Sequence, residues 1–220
     1  MARKVFISFR FSDGNYYKKK LEELFDASTE VINSSEDVDR SSMSENTIQK
    51  YLYDKLKHTS VTIVLLTPES VRHKKNHLGN YDDWMYDEIR YSLEDRQDNR
   101  CNGLIAIYVP EAESLVLEHS VHKCEICKKE KTCISIKNFN NLVRKNMMNI
   151  KPSFKHNKCT NLYDRDSDSY CSLVSWNEFI SNHEYYIDQA AKKRELCSQY
   201  NTIQNRKTDE RLKTNVLAAM

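Results

Sequence analysis

Short apolar runs separated by amphipathic stretches dominate the first half of the chain. KVFISF, residues 4–9, is apolar, alternating and rich in strand formers. Ser12 and Asp13 then offer N-cap chemistry for a helix running to about Phe25, in which Tyr17, Leu21, Leu24 and Phe25 recur at helical spacing. TEVI, residues 29–32, predicts a short second strand, and the polar stretch NSSEDVDRSSMS, residues 33–44, a surface loop. A second helix is expected from about Glu45 to Lys57, burying Ile48, Leu52 and Leu56. VTIVLLT, residues 61–67, and GLIAIYV, residues 103–109, are continuous apolar runs, the pattern of strands covered on both faces. Between them, about Tyr81 to Asp95, lies a third helix with Met85, Ile89 and Leu93 toward the core.

Strands that alternate with helices and are buried on both faces imply a parallel sheet with right-handed crossovers. The expected fold class is therefore α/β, a flavodoxin-like doubly wound parallel sheet, whose ligands bind outside the carboxyl ends of the strands. Residues 111–170 carry few long apolar patterns. SLVSW, residues 172–176, reads as a last strand, and residues 177–197 as a helix bent near Asn182. The polar segment from Gln199 onward reads as a tail. The expected division is 1–110, a first α/β domain; 111–200, a mixed C-terminal extension that completes its fold; and 201–220, the tail.

Composition narrows the function. A chain of 220 residues is long enough for a sizeable core. A formal net charge of +2 argues against nucleic acid as the main partner. A mean hydropathy of -0.75 and the lack of a long apolar run argue against a membrane span. MARKVFISF has no signal-peptide layout, and seven cysteines without one suit a reducing, cytoplasmic compartment. Three glycines form neither GxGxxG nor a P-loop.

Two places carry candidate chemistry. In DDWMYDE, residues 82–88, Trp84 and Glu88 stand four apart, on one face of the third helix. In HKCEICKKEKTC, Cys124-x-x-Cys127 is a recognised zinc half-site, with Cys133 farther along as a further thiol. The alternative there is an exposed loop with reduced thiols. Trp84 and Phe9 also suit a plain core, Arg10 a surface charge, and Ser70 a turn cap.

KVFISFRFSD, SSEDVDRSSMS, VTIVLLTPES and DDWMYDEI, in that order, resemble a TIR domain, and Trp84-x-x-x-Glu88 matches the W-x-x-x-E of enzymatic TIR domains. The resemblance covers about the first 110 residues. SLVSWNEFISNHEYYIDQA is similar to the C-terminal part of the TIR-like proteins of Thoeris antiphage defence, the ThsB group. The resemblance implies NAD as substrate, with no further cofactor, and cleavage of its nicotinamide–ribose bond. It implies a product nucleotide, a cyclic ADP-ribose isomer or an ADP-ribose conjugate, that diffuses to a separate effector. A homo-oligomer is compatible with it. Glu88 matches the catalytic glutamate. Phe9, Arg10, Ser70 and Trp84 match positions bordering the substrate, and Asp37 and Asp39 fall in the loop that covers the site or meets a neighbouring subunit. The competing expectation is a non-catalytic TIR interaction module. A phosphoacceptor receiver domain shares the architecture, but its acidic residues at the strand ends are replaced here by SFR and LLTPES.

Overall fold

The computed structural model describes residues 3–28, 31–33, 45–74, 83–95, 100–126, 128, 130–137, 142–156, 159 and 163–204. Its elements follow the alternation read from the sequence: β1 (Arg3–Ser8), α1 (Phe11–Asp26), β2 (Val31–Asn33), α2 (Glu45–Leu56), β3 (Val61–Leu66), α3 (Trp84–Leu93) and β4 (Gly103–Tyr108). A short helix α4 (Glu113–Val116), a hairpin of β5 (Leu117–Lys123) and β6 (Glu130–Ile136), and a single-turn helix α5 (Leu142–Lys145) come next. The described chain then closes with β7 (Cys171–Ser175) and α6 (Trp176–Glu195).

Five strands form one parallel sheet in the order β2-β1-β3-β4-β7. Successive residues of each strand serve opposite layers. Val5, Ile7, Ile63, Leu65, Ile105, Ile107 and Val174 pack with Leu21 and Phe25 of α1 and with Phe179 and Ile187 of α6. Val64, Leu66, Leu104, Ala106 and Leu173 pack with Met85, Tyr86, Ile89 and Leu93 of α3 and with Leu142 and Val143 of α5. Phe6 meets Leu52 and Leu56 of α2 and Tyr91 of α3. Because both faces are covered, β3 and β4 read as unbroken apolar runs rather than alternating ones. This is the expected doubly wound α/β architecture, and β7, from beyond the first 110 residues, supplies its fifth strand.

Helix α6 lies hard against the sheet at Gly103. A Cβ built there would stand 2.0 Å from the Ala190 carbonyl oxygen, so only glycine admits the helix at this spacing. The bend expected near Asn182 is present, with φ -139° and ψ 31° inside the helix. Toward its end α6 buries Lys193, whose Nζ donates to Ser172 Oγ at 2.8 Å. Burial pushes that ammonium down to about 8.

The α1 start differs from expectation. The helix begins at Phe11, and Ser12 and Asp13 do not cap it. Ser12 Oγ donates to Glu69 at 2.5 Å, and Asp13 accepts from Thr67 Oγ1 at 2.7 Å and from the Glu69 amide at 3.0 Å. These bonds tie the start of α1 to the turn after β3. Among the described residues, no helix is long and apolar enough to cross a membrane.

Candidate active site

The chain passes from β1 to β2 through α1 on one side of the sheet, and toward β3 through α2 on the other. The crevice beyond the carboxyl ends of β1 and β3 is therefore the topological switch point, where such sheets bind ligands. Three segments border it: residues 8–10 at the end of β1, residues 67–74 after β3, and the first turns of α3.

Glu88 comes from the second turn of α3 and is only 6% exposed. Its Oε2 accepts a hydrogen bond of 2.7 Å from Ser8 Oγ, itself fully buried. Strand alternation explains the pairing. Ser8 is two residues beyond Phe6 and so shares its face, the one α3 covers. Glu88 and Tyr91 of the helix thus match Ser8 and Phe6 of the strand, Tyr91 packing on Phe6. A buried carboxylate persists only where donors meet it, and Ser8 is one. The far end of α3 is pinned separately. Ser92 Oγ bonds the Glu88 carbonyl at 2.8 Å and Thr62 Oγ1 at 2.7 Å, and Asn102 Nδ2 donates to Thr62 Oγ1 at 3.2 Å.

Asp83 fixes the near end. One carboxylate oxygen caps α3, accepting from the Met85 amide at 3.1 Å. The other accepts from Arg10 Nη2 at 2.7 Å, the Lys74 amide at 3.0 Å and His73 Nδ1 at 3.2 Å. The His73 ring also sits edge-on to Tyr86, 5.2 Å between centroids. Burial alone would push the Asp83 carboxyl up. The His73 hydrogen bond and charge, then Arg10 and the Lys74 amide, outweigh it and hold the group at about 2. One ionised side chain thus joins the end of β1, the loop after β3 and the start of α3.

The other residues expected at the site separate. Trp84 opens α3 one turn before Glu88 and is 37% exposed, so it is not core. Phe9 packs into the α1–α6 layer, with its Cβ 3.3 Å from where a Gly14 Cβ would stand, whereas Ser8 and Glu88 meet under the opposite layer. Ser70 is buried with its hydroxyl engaged: it accepts from the Thr67 amide at 2.6 Å and reaches the Leu65 carbonyl at 2.9 Å, closing the turn after β3. Arg10 is bound to Asp83 as described. Asp37, Asp39 and Cys127 lie outside the described residues.

Of the thiol set Cys124, Cys127 and Cys133, only Cys124 is described with its side chain. The hairpin register places Cys133 opposite Ser120, four residues from Cys124 along β5, or about 13 Å. Cys124 meets Cys159, Sγ to Sγ 3.6 Å.

Three residues of the site escaped the sequence reading. Ser8 had a signal, a polar residue on the covered face at a strand end. Asp83 had one as the residue before the helical stripe. His73 had none, because its role depends on a contact made across the fold.

A buried carboxylate with an oriented oxygen can stabilise positive charge developing on a bound ring. Residues 6–114 match the model of the family described as Thoeris protein ThsB, TIR-like domain. Over that segment, which contains Ser8, Arg10, His73, Asp83 and Glu88, the chain belongs to this family of TIR-type domains of antiphage defence.

Proposed function

We propose that the protein cleaves NAD between nicotinamide and ribose and releases a nucleotide messenger, a cyclic ADP-ribose isomer or an ADP-ribose conjugate, that acts on a separate antiphage effector. The observation that carries this reading is the buried Glu88 carboxylate held by Ser8 at the switch point of a TIR-type domain.

As the glycosidic C–N bond breaks, its electron pair leaves with nicotinamide, which departs neutral. No general acid is needed, so one carboxylate suffices where glycosidases use two. Glu88 stabilises the oxocarbenium-like ribose and orients its hydroxyls, while Ser8 is a positioning residue that sets which Glu88 oxygen is turned to the substrate. Trp84 offers a face on which a ring stacks and which sheds water. Arg10 Nε, buried without a hydrogen-bond partner among the described residues, is a donor for a substrate oxygen. Excluding water favours attack on the ribose carbon by an adenine nitrogen or another nucleophile over hydrolysis.

The test is incubation with NAD, with nicotinamide and the second product followed by chromatography and mass detection. Wild type, purified or supplemented with phage-infected lysate, releases nicotinamide, and Glu88→Gln releases none. Persistent cleavage by a folded Glu88→Gln protein would sink the assignment. Silence of wild type under both conditions would favour a non-catalytic interaction module.

A further inference from the structure

We propose that Cys101 and Cys197 are an oxidation site: a hydroperoxide oxidises Cys197, and Cys101 then closes a disulfide with it, stapling the segment after α6 to the start of β4. The fold brings these distant positions together. Cys101 lies just before β4, and Cys197 opens a single 3-10 turn, Cys197–Gln199, just beyond α6. Arg194 bridges the two segments, its Nε donating to the Cys101 carbonyl at 3.1 Å. The two thiols are hydrogen-bonded to each other. The fully buried Tyr170 hydroxyl lies beside both, 3.3 Å from Cys101 Sγ.

The two sulfurs differ in the way a stepwise oxidation needs. Cys101 is buried, whereas Cys197 is half-buried and meets solvent. The hydrogen bond from the Cys101 thiol, with those from Tyr170 and Thr202, outweighs burial and the Asp95 charge and holds Cys197 at about 7. A reactive thiolate is therefore present at neutral pH on the sulfur that an oxidant can reach. The same contact, together with burial, pushes Cys101 up and keeps it a thiol. Cys171, by contrast, is fully buried and pushed up to about 12.

In the first step the Cys197 thiolate attacks the terminal oxygen of the hydroperoxide. An S–O bond forms and the O–O bond breaks. The leaving oxygen takes a proton from solvent and departs as water or an alcohol, and Cys197 becomes a sulfenic acid. In the second step the Cys101 sulfur attacks the Cys197 sulfur. The S–S bond forms, the S–O bond breaks, and hydroxide leaves with the Cys101 proton as water. The pair loses two electrons and the peroxide gains them; an external dithiol reverses the change by exchange.

The staple falls where the C-terminal segment is already bound. Ile150 and Tyr200 form a β-bridge, and Asn146 exchanges hydrogen bonds of 2.9 and 3.0 Å with the Ile203 backbone. Gln204 Nε2 donates to the Leu93 carbonyl at 2.5 Å, and the Asn102 amide to the Ser92 carbonyl at 2.6 Å. The disulfide therefore locks residues 197–204 onto the end of α3, the helix that carries Glu88.

The test uses the full chain, reduced, freed of reductant and treated while folded with an equimolar dose of hydrogen peroxide. After free thiols are blocked, peptide mapping by mass is expected to find Cys101 linked to Cys197, and dithiothreitol to release both. In Cys101→Ser a dimedone probe should label Cys197. In Cys197→Ser the linked peptide should be absent and Cys101 unlabelled. Cys101 and Cys197 both still open to blocking in oxidised wild type would overturn the proposal. So would either one paired with a different cysteine, or dimedone on Cys101 in Cys197→Ser. The wild-type map needs no variant, so a substitution that fails to fold does not blunt the test.

Discussion

Replacing Asp83 by asparagine separates two jobs that one carboxylate performs. Asparagine caps a helix about as well as aspartate, so the bond to the Met85 amide is retained. What is lost is the negative charge between Arg10 and His73. In the folded protein Asp83 titrates at about 2, against 3.8 for the unperturbed group. The difference of nearly two units corresponds to about 2 kcal/mol favouring the folded state at neutral pH. Leaving Arg10 partly buried without its counter-charge adds to the loss, and breaking a buried pair costs about 3–5 kcal/mol. Asp83→Asn should therefore unfold in urea with a stability about 2–4 kcal/mol below wild type at pH 7. A depressed carboxyl stabilises above its unfolded pKa and loses that contribution as pH falls toward the folded value. The gap between wild type and variant should hold from neutral pH down to about 4 and narrow by roughly half at pH 3. A gap under about 0.5 kcal/mol at pH 7, the range of ordinary surface changes, would refute the reasoning. So would a gap that widens in acid.

Two further perturbations read neighbouring features. Ser8→Ala removes the donor to Glu88 and should lower stability by about 1–3 kcal/mol. It should also cut NAD turnover about tenfold with KM nearly unchanged, as expected for a lost transition-state contact; Ser8→Thr, which keeps the hydroxyl, should recover most of both, and a full-rate Ser8→Ala protein would remove Ser8 from the positioning role. Lys193 is destabilising when charged, because burial lowers it to about 8 while the unfolded chain titrates near 10.5. Wild type should gain stability as pH rises between those values, and Lys193→Met should flatten that rise and be more stable at pH 7 by about 1–3 kcal/mol; denaturation at pH 7 and pH 10 decides it, and a destabilised, still pH-dependent variant would contradict it.

Much of this fold was legible because its strands are buried on both faces. Val61–Leu66 and Gly103–Tyr108 announce themselves as apolar runs, and Met85, Ile89 and Leu93 as a helical stripe. Cys171–Ser175 and the bend at Asn182 were likewise visible in the local pattern. The β5–β6 hairpin was not, since LEHSVHK and EKTCISI pair through backbone groups and lack the apolar alternation that marks a half-buried strand. At the site, the four-residue spacing put Trp84 and Glu88 on one helix face, and the resemblance to W-x-x-x-E, rather than the spacing, singled out Glu88. Its partner Ser8 is 80 positions away and Arg10 is 73 from Asp83, and no periodicity reports contacts at that range. Local signals also misassigned Ser12 and Asp13, whose hydrogen-bonding groups satisfy the turn after β3 instead of the helix they precede.

The placement of β7 beside β4 sets a schedule for synthesis. Gly103–Tyr108 leaves the ribosome well before Cys171–Ser175, and at about 5–20 residues per second the delay is roughly 3–13 s. Throughout it, the outer edge of β4 lacks the strand that pairs with Leu104–Tyr108, and its inner face lacks α6. An unpaired, apolar edge of this kind is a template for other chains. The nascent protein therefore holds its greatest aggregation hazard during translation, and a chaperone that shields β4 until residue 195 has emerged should raise the yield of folded chain more than one acting after release.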